Sequence, residues 1–252
     1  MIDLSVCIEM FWRDLPLHER MQRVKALGYK AFEFWGWKNK DLDSIRAAQK
    51  ETGLALAAMC MEPNWALIER TNEKPALDGF IESAKVAHTL GCTRLICVPG
   101  IGPGDDTFEM ARRRVVRKVK ALAKVAESEG VTLLLEPLNP LVDHKGAWLT
   151  KMNEAADLVQ ETASPNVKIL CDLYHQQITE GNLIANFTLY AALVGHVHAA
   201  GVPGRHELVG GELDYRALFA SISQSGYSGY IGLEFSPVKE GDAGLKEALG
   251  LL

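Results

Sequence analysis

Four apolar segments in the second half of the chain each end on a side chain that can bind a metal or move a proton. In the first, three consecutive leucines lead directly into Glu136, after which a proline ends the predicted strand. Three further apolar segments end in the same way on Asp172, His198 and Glu234. Three carboxylates and one imidazole, with no thiolate, suit a divalent ion, with Mn²⁺ or Mg²⁺ favoured over Zn²⁺ or Co²⁺.

Each of these residues also has an ordinary structural interpretation when it is taken alone. A carboxylate at a strand end commonly caps a helix or hydrogen-bonds within a loop, and Asp172 alone would be interpreted in that way. A histidine after an apolar strand is commonly packed in the core. We expect this of His196, which shares a strand face with His198 but lies one layer deeper. Gly232, two residues before Glu234, would leave room in that deeper layer. The metal interpretation depends on four matching positions together.

The elements that must position these residues alternate regularly between strand and helix. Short apolar runs without a helical period predict buried strands, and the segments between them have helical spacing and commonly end in glycine. Eight such units in 252 residues predict a single (β/α)8 TIM barrel spanning residues 1–252. A doubly wound open sheet is the competing architecture. In a barrel, the C-terminal ends of strands five to eight would bring Glu136, Asp172, His198 and Glu234 around one ion.

Composition narrows the partners and the compartment. The net charge of −5 argues against nucleic acid and anionic membranes. The basic run over residues 112–118 is predicted to be the solvated face of an amphipathic helix. Five scattered cysteines without a CxxC pair predict small buried side chains and a reducing, cytoplasmic location. Neither a secretory signal nor a membrane-spanning run is apparent, so we expect a cytoplasmic protein that acts on small molecules.

Aromatic residues follow the early predicted strands. Phe11 and Trp12 follow the first, Trp35 and Trp37 the second, and Trp65 the third. At these loop positions, the side chains could line a pocket or form a subunit contact, since tryptophan is common at interfaces. The second interpretation predicts a possible homo-oligomer.

Several segments together resemble a known family. They are Leu135-Glu136-Pro137-Leu138-Asn139-Pro140, Asp172-Leu173-Tyr174-His175-Gln176, Gly195-His196-Val197-His198, Val202-Pro203-Gly204-Arg205-His206-Glu207 and Gly232-Leu233-Glu234-Phe235, with Phe32-Glu33-Phe34 nearer the start. In this combination and order, the chain resembles the hydroxypyruvate isomerase family of the xylose-isomerase-like TIM-barrel superfamily.

The resemblance implies roles for individual positions. It implies that one divalent metal is held by residues at the four strand ends, namely Glu136, Asp172, His198 and Glu234. The two glutamates would also form the acid/base pair, while His175 and Arg205 match positions that contact substrate oxygens. A carboxylate of the substrate is the partner that the Arg205 guanidinium would pair with bidentately. An exposed loop arginine is the alternative interpretation.

The implied reaction is proton transfer within a small α-hydroxy carbonyl compound through an enediolate. Hydroxypyruvate, tartronate semialdehyde or a related keto sugar acid would be isomerised. Hydroxypyruvate isomerases, however, often have glutamine where His198 stands and an acidic residue near Ala200-Gly201. Histidine is typical of the ketose epimerase branch, so a ketose 3-epimerase is the alternative. A metal-dependent phosphodiesterase or nuclease on the same barrel is a remote one, because the chain is acidic and has only 7 histidines.

Overall fold

Eight parallel strands form a closed barrel in the computed structural model, which describes residues 2–102, 104–239 and 242–252. Each strand pairs with the next along the chain, and the last pairs with the first in parallel register. The strands are β1 (Asp3–Cys7), β2 (Ala31–Phe34), β3 (Ala55–Cys60), β4 (Arg94–Cys97), β5 (Thr132–Leu135), β6 (Val167–Asp172), β7 (Val194–Ala199) and β8 (Tyr230–Leu233). The predicted (β/α)8 barrel is confirmed, and the open sheet is excluded.

Helices connect the strands on the outside of the barrel. They are α1 (Leu17–Ala26), α2 (Leu42–Thr52), α3 (Lys74–Thr89), α4 (Phe108–Glu129), α5 (Met152–Thr162), α6 (Leu173–Thr179), α7 (Leu183–Tyr190), α8 (Tyr215–Gln224) and α9 (Ala243–Leu249), with a 3₁₀ turn at Ala191–Leu193. The short helix α6 was not predicted from the sequence. Of the helices described here, none combines the length and the apolar character needed to cross a membrane.

The strands are buried on both faces, as the continuous apolar runs predicted. In β5, Leu133, Leu134 and Leu135 have no exposed surface. Leu134 belongs to a small cluster with Leu170, Ile96, Ala58 and Cys60 that is separate from the main core. Leu134 and Leu170 lie two residues before Glu136 and Asp172, so each pair shares one strand face. This cluster therefore fills one side of the barrel, that of β3 to β6, below the strand ends. All five cysteines are buried and free.

The basic run at the start of α4 differs from the prediction. Lys118 is only 1% exposed, and its Nζ donates to the carbonyls of Ala66 and Glu69, both at 3.0 Å, and to the hydroxyl of Thr71 at 3.1 Å. The solvated-face prediction is wrong for this residue, because the β3–α3 connection folds across α4 and supplies acceptors for the ammonium. The spacing of apolar side chains along one helix does not show whether a distant loop packs over that helix.

Candidate metal centre and substrate cavity

The four strand-end residues predicted from the sequence come together at the carboxyl end of the barrel. Glu136 follows β5, Asp172 ends β6, His198 lies in β7 and Glu234 follows β8. Each offers one ligand atom, and these atoms all lie within 4.8 Å of one another. All four side chains are buried. The group could therefore hold one cation between three carboxylates and an imidazole.

Asp172 combines both interpretations that the sequence left open. Its Oδ1 accepts hydrogen bonds from the backbone N–H groups of Tyr174 at 2.8 Å and His175 at 3.1 Å, which caps α6. Its Oδ2 lies 3.4 Å from Arg205 Nη2 and 3.6 Å from His175 Nε2. One oxygen thus fixes the side chain on the first turn of α6, and the other belongs to the cluster.

His198 presents a ring nitrogen to the carboxylates. Its Nε2 lies 2.9 Å from Oε2 of Glu33. Its Nδ1 has no hydrogen-bond partner among the described residues, yet it is buried and lies 3.3 Å from Glu234 Oε2 and 3.8 Å from Glu136 Oε1. Buried polar atoms are normally satisfied, so an orphaned nitrogen between two carboxylates fits a metal ligand.

The two glutamates have opposite protonation tendencies. Burial raises the pKa of Glu136 to about 6. Burial would also raise the pKa of Glu234, but the Arg205 guanidinium and then His198 outweigh it and hold that pKa well below its usual range. Two carboxylates whose environments separate their pKa values are the usual arrangement for an acid/base pair.

Arg205 lies against the cluster instead of extending into solvent. Its Nη2 is 2.5 Å from Glu234 Oε2, and its Nε donates to the Glu234 carbonyl at 3.1 Å. The guanidinium also lies over the ring of Tyr174, 5.2 Å from the centroid. The backbone of Arg205 is left-handed, with φ of 56°. The interpretation as an exposed loop arginine is therefore wrong.

His175 is buried between the cluster and the loop that follows β5. Its Nδ1 lies 2.7 Å from the side-chain nitrogen of Asn139, and its Nε2 lies 3.3 Å from Arg205 Nη1. Burial lowers the pKa of His175 to about 4, so the imidazole is neutral at neutral pH. All six residues predicted for the site are thus close together.

A cavity of about 550 Å³ opens above the cluster. Its polar lining comprises Glu136, Glu234, His198, His175 and Arg205 next to the cluster, together with Arg13, Glu62, Asn64 and His144. The remaining wall is mainly apolar and aromatic, from Met10, Trp35, Trp65, Ile96, Val98 and Leu138. Small-molecule sites have volumes and linings of this kind.

Of the tryptophans in the early loops, some line the cavity and others hydrogen-bond outside it. Trp35 and Trp65 line the cavity, as one interpretation predicted. Trp37 instead donates its indole N–H to the hydroxyl of Ser83 at 3.0 Å, and Trp12 donates to Asp242 at 2.9 Å. Trp35 donates to Glu234 Oε1 at 2.5 Å, a contact that sequence reasoning did not anticipate.

Sequence reasoning also missed Glu33. This residue lies in β2 and is 2% exposed, and its carboxylate contacts His196 Nε2 at 3.0 Å as well as His198. The prediction that His196 is packed and hydrogen-bonded one layer below His198 is confirmed. The available signal was a single carboxylate between two phenylalanines in a buried strand, which calls for a buried partner.

Comparison with known proteins gives a consistent assignment. A family model described as xylose isomerase-like TIM barrel matches residues 21–252. A 2-oxo-tetronate isomerase of Cupriavidus necator is 31% identical over 245 residues, which cover 94% of each chain. The hydroxypyruvate isomerase of Escherichia coli is 28% identical over 253 residues, which cover 98% of each chain. A solved Brucella melitensis structure, described as AP endonuclease, family 2, superposes with a TM-score of 0.93 at 28% identity over 99% of each chain.

These matches extend over nearly the whole chain, and both sequence relatives are named as isomerases. The chain belongs to the xylose isomerase-like TIM barrel family.

Proposed function

We propose that this protein is a metal-dependent isomerase of small α-hydroxy carbonyl acids, interconverting hydroxypyruvate and tartronate semialdehyde or a related keto sugar acid. The observation that carries the proposal is the pair Glu136 and Glu234, whose ligand atoms share a buried cluster with Asp172 and His198 at the floor of a cavity. The isomerase names of the two full-length relatives support the same reaction class.

The four clustered side chains would hold one divalent ion. Three carboxylate oxygens and one imidazole nitrogen favour Mn²⁺ or Mg²⁺, with Zn²⁺ or Co²⁺ as further candidates. The orphaned Nδ1 of His198 fits this role, because a cation would satisfy it where no hydrogen-bond donor reaches it. When bound, such an ion supplies Lewis-acid stabilisation of negative charge on substrate oxygens.

Glu136 and Glu234 are proposed to move the protons. Isomerisation needs a base that removes the proton from the carbon bearing the hydroxyl group and an acid that returns a proton to the neighbouring carbonyl carbon, while the hydroxyl proton passes to the former carbonyl oxygen. In the metal-free protein, burial raises the pKa of Glu136 to about 6, so this carboxyl exchanges a proton more readily near neutral pH than an exposed glutamate does. Glu234 stays ionised beside Arg205, so this carboxylate carries no proton and is available to accept one.

Arg205 and His175 are proposed to orient the substrate. Both line the cavity, and Arg205 Nη1, whose contact in the described part of the chain is His175 Nε2, has a further hydrogen to donate to a substrate oxygen. Neutral His175 can hydrogen-bond a substrate hydroxyl without adding charge to the site.

One residue favours a second candidate function, a ketose 3-epimerase. His198 is the imidazole member of the cluster, where the resembling isomerases often have glutamine. In epimerisation, proton removal and return take place at one carbon on opposite faces, whereas isomerisation moves the proton between neighbouring carbons. The two candidates therefore differ in where solvent deuterium enters the product.

A nuclease is not proposed, although one solved relative is described as an AP endonuclease. The chain has a net charge of −5, and binding to a phosphate backbone requires basic side chains.

The first test is turnover by Glu136→Gln and Glu234→Gln. Each substitution keeps the side-chain shape but removes proton transfer and one charged ligand, so we expect kcat to fall by roughly 10²- to 10⁴-fold or more, the range of a general acid/base contribution being the minimum effect. NMR in D₂O with C3 to C6 keto acids and ketoses would identify the substrate and the labelled carbon. Glu180→Gln is the matched control. Glu180 accepts a hydrogen bond from the backbone N–H of Met152, away from the cluster, so this substitution should leave kcat unchanged. Near wild-type kcat in either active-site variant would refute the proposed role.

A further inference from the structure

A second buried polar layer lies directly below the proposed metal ligands. Glu33 on β2 is at its centre and spans the barrel interior to His196 and His198 on β7. Its Oε1 also accepts a hydrogen bond from the hydroxyl of Ser5 on β1. The layer thus ties three strands together, and one of its members, His198, is also a member of the upper cluster.

The hydrogen-bond chemistry of Glu33 determines the orientation of both imidazoles. An ionised carboxylate can only accept hydrogen bonds, and this one is contacted by three groups that can donate, namely Ser5, His196 and His198. Each histidine must therefore carry a hydrogen on Nε2. The remaining nitrogen of His198, Nδ1, then points its lone pair toward Glu136 and Glu234.

Gly232 on β8 is the residue that makes this layer possible. A Cβ atom there would lie 2.5 Å from Glu33 Oε1 and 2.7 Å from His198 Cδ2. Real Cβ contacts are not that short, so any larger residue would displace the carboxylate, the imidazole or both. The carboxylate of Glu33 can therefore occupy its position only because residue 232 has no side chain.

A second ion within this layer is the competing interpretation, because Glu33, His196 and His198 also present ligand atoms within 4.8 Å of one another. The contact distances argue against it. Both Nε2 atoms already lie at hydrogen-bond distance from Glu33, at 3.0 and 2.9 Å, so neither has a lone pair directed at an ion.

We propose that Glu33 is a positioning residue that holds His198 in the Nε2–H tautomer, with Nδ1 aimed at the carboxylate cluster, and thereby sets the affinity of the metal site. The inference rests on the proposed metal-dependent function. Carboxylates that accept the free N–H of a metal-bound histidine fix its tautomer and orientation, and their loss typically weakens binding roughly 10- to 100-fold.

The test is calorimetric titration of the metal-free protein with Mn²⁺. Glu33→Gln keeps the shape but exchanges one acceptor oxygen for an NH₂ donor, so we expect a Kd weaker by roughly 10- to 100-fold at a stoichiometry of one ion per chain. Gly232→Ala leaves Glu33 chemically intact but displaces its carboxylate, so it should also weaken Mn²⁺ binding. Glu180→Gln repeats the chemical change outside this layer and should keep the wild-type Kd. Circular dichroism verifies the fold of each variant, and either variant alone is sufficient for the test.

A spectroscopic readout separates positioning from a merely structural role. In ¹⁵N-labelled protein loaded with Zn²⁺, we expect the His198 ring to show Nε2–H in the wild type and a lost or mixed tautomer in Glu33→Gln. Wild-type affinity and tautomer in a folded Glu33→Gln variant would overturn this inference alone, as would two bound ions per chain. Failure of the wild-type protein to bind Mn²⁺ would overturn the proposed metal function and this inference with it.

Discussion

Each carboxylate oxygen of Glu234 has its own set of partners. Oε1 accepts the indole N–H of Trp35 and lies 3.9 Å from the thiol of Cys7, whereas Oε2 pairs with Arg205. Trp35 is 42% exposed, so much of its ring is not used in packing. At the site, it contributes part of the cavity wall and the N–H that it directs at a proposed base.

Replacement of Trp35 by phenylalanine tests this contact. The ring surface remains, but the donor to Glu234 is lost, and hydrogen bonds to charged groups contribute about 1.5–3 kcal/mol. We expect kcat to fall by roughly 10- to 100-fold, with a smaller change in KM, because the contact orients the carboxylate and not the substrate. Steady-state kinetics with the substrate identified in D₂O provides the measurement.

Trp37→Phe is the matched control for that experiment. The indole of Trp37 donates to Ser83 on α3, away from the cluster, so its loss should lower the melting temperature without changing kcat. Equal losses of kcat in the two variants would mean that Trp35 acts only through packing of the loops.

The sequence identified the site residues that lie at the ends of consecutive strands, but not the residue whose role depends on partners far along the chain. Glu136, Asp172, His198 and Glu234 could be grouped because barrel closure brings neighbouring strand ends together. Glu33 could not be, because its partners His196 and His198 come more than 160 positions later and the contact crosses the barrel interior. A pairing of that kind depends on the closed geometry and on the space at Gly232.

At the level of the elements, α4 anchors the connection between β3 and α3. Besides the three bonds from Lys118, Arg114 donates to the carbonyl of Ile68 at 2.6 Å. The same connection includes Trp65, which lines the cavity. The backbone N–H of Trp65 donates to the carbonyl of Val98 at 3.0 Å. A helix on the outside of the barrel therefore holds part of the cavity wall in place.

Lys118→Met should loosen this connection. The variant keeps most of the side-chain volume but leaves three acceptors without their shared donor, so we expect a loss of about 2 kcal/mol in the free energy of unfolding. Urea denaturation measures that loss, and hydrogen exchange should increase over residues 65–71. Lys120→Met on the exposed side of the same helix should change stability by less than about 0.5 kcal/mol. Similar effects of both substitutions would contradict the anchoring role.

The elements themselves were largely predictable, with two informative exceptions. Strand order and most helix positions followed from hydrophobic period and glycine-terminated helices. Helix α6 was missed because Asp172 ends a strand and caps a helix at one position, which leaves no loop residues as a signal. The burial of Lys118 was missed because it depends on a connection folded over α4, and the helical period carries no information about that cover.

For the molecule as a whole, the site concentrates negative charge in its buried centre. Glu136, Asp172 and Glu234 face one another there, with the Arg205 guanidinium as the nearby positive group. Ionisation of Glu136 is unfavourable in the folded state, because burial raises its pKa from 4.5 to about 6. Because of this group, the free energy of unfolding decreases as the pH rises from 4.5 to about 6, and it stays lower above pH 6.

A bound divalent ion should reverse that destabilisation. At a free Mn²⁺ concentration 100 times the Kd, linkage predicts a gain of about 2.7 kcal/mol, or roughly 5–10 °C in the melting temperature of a chain of this size. At pH 7, metal-free Glu136→Gln should melt at or above the metal-free wild type, because it removes the unfavourable charge. It should also lose most of the Mn²⁺-dependent increase, because it removes a ligand. Differential scanning calorimetry of both proteins, after EDTA treatment and again with Mn²⁺, measures the two effects, and an equal increase in both would place the ion away from Glu136.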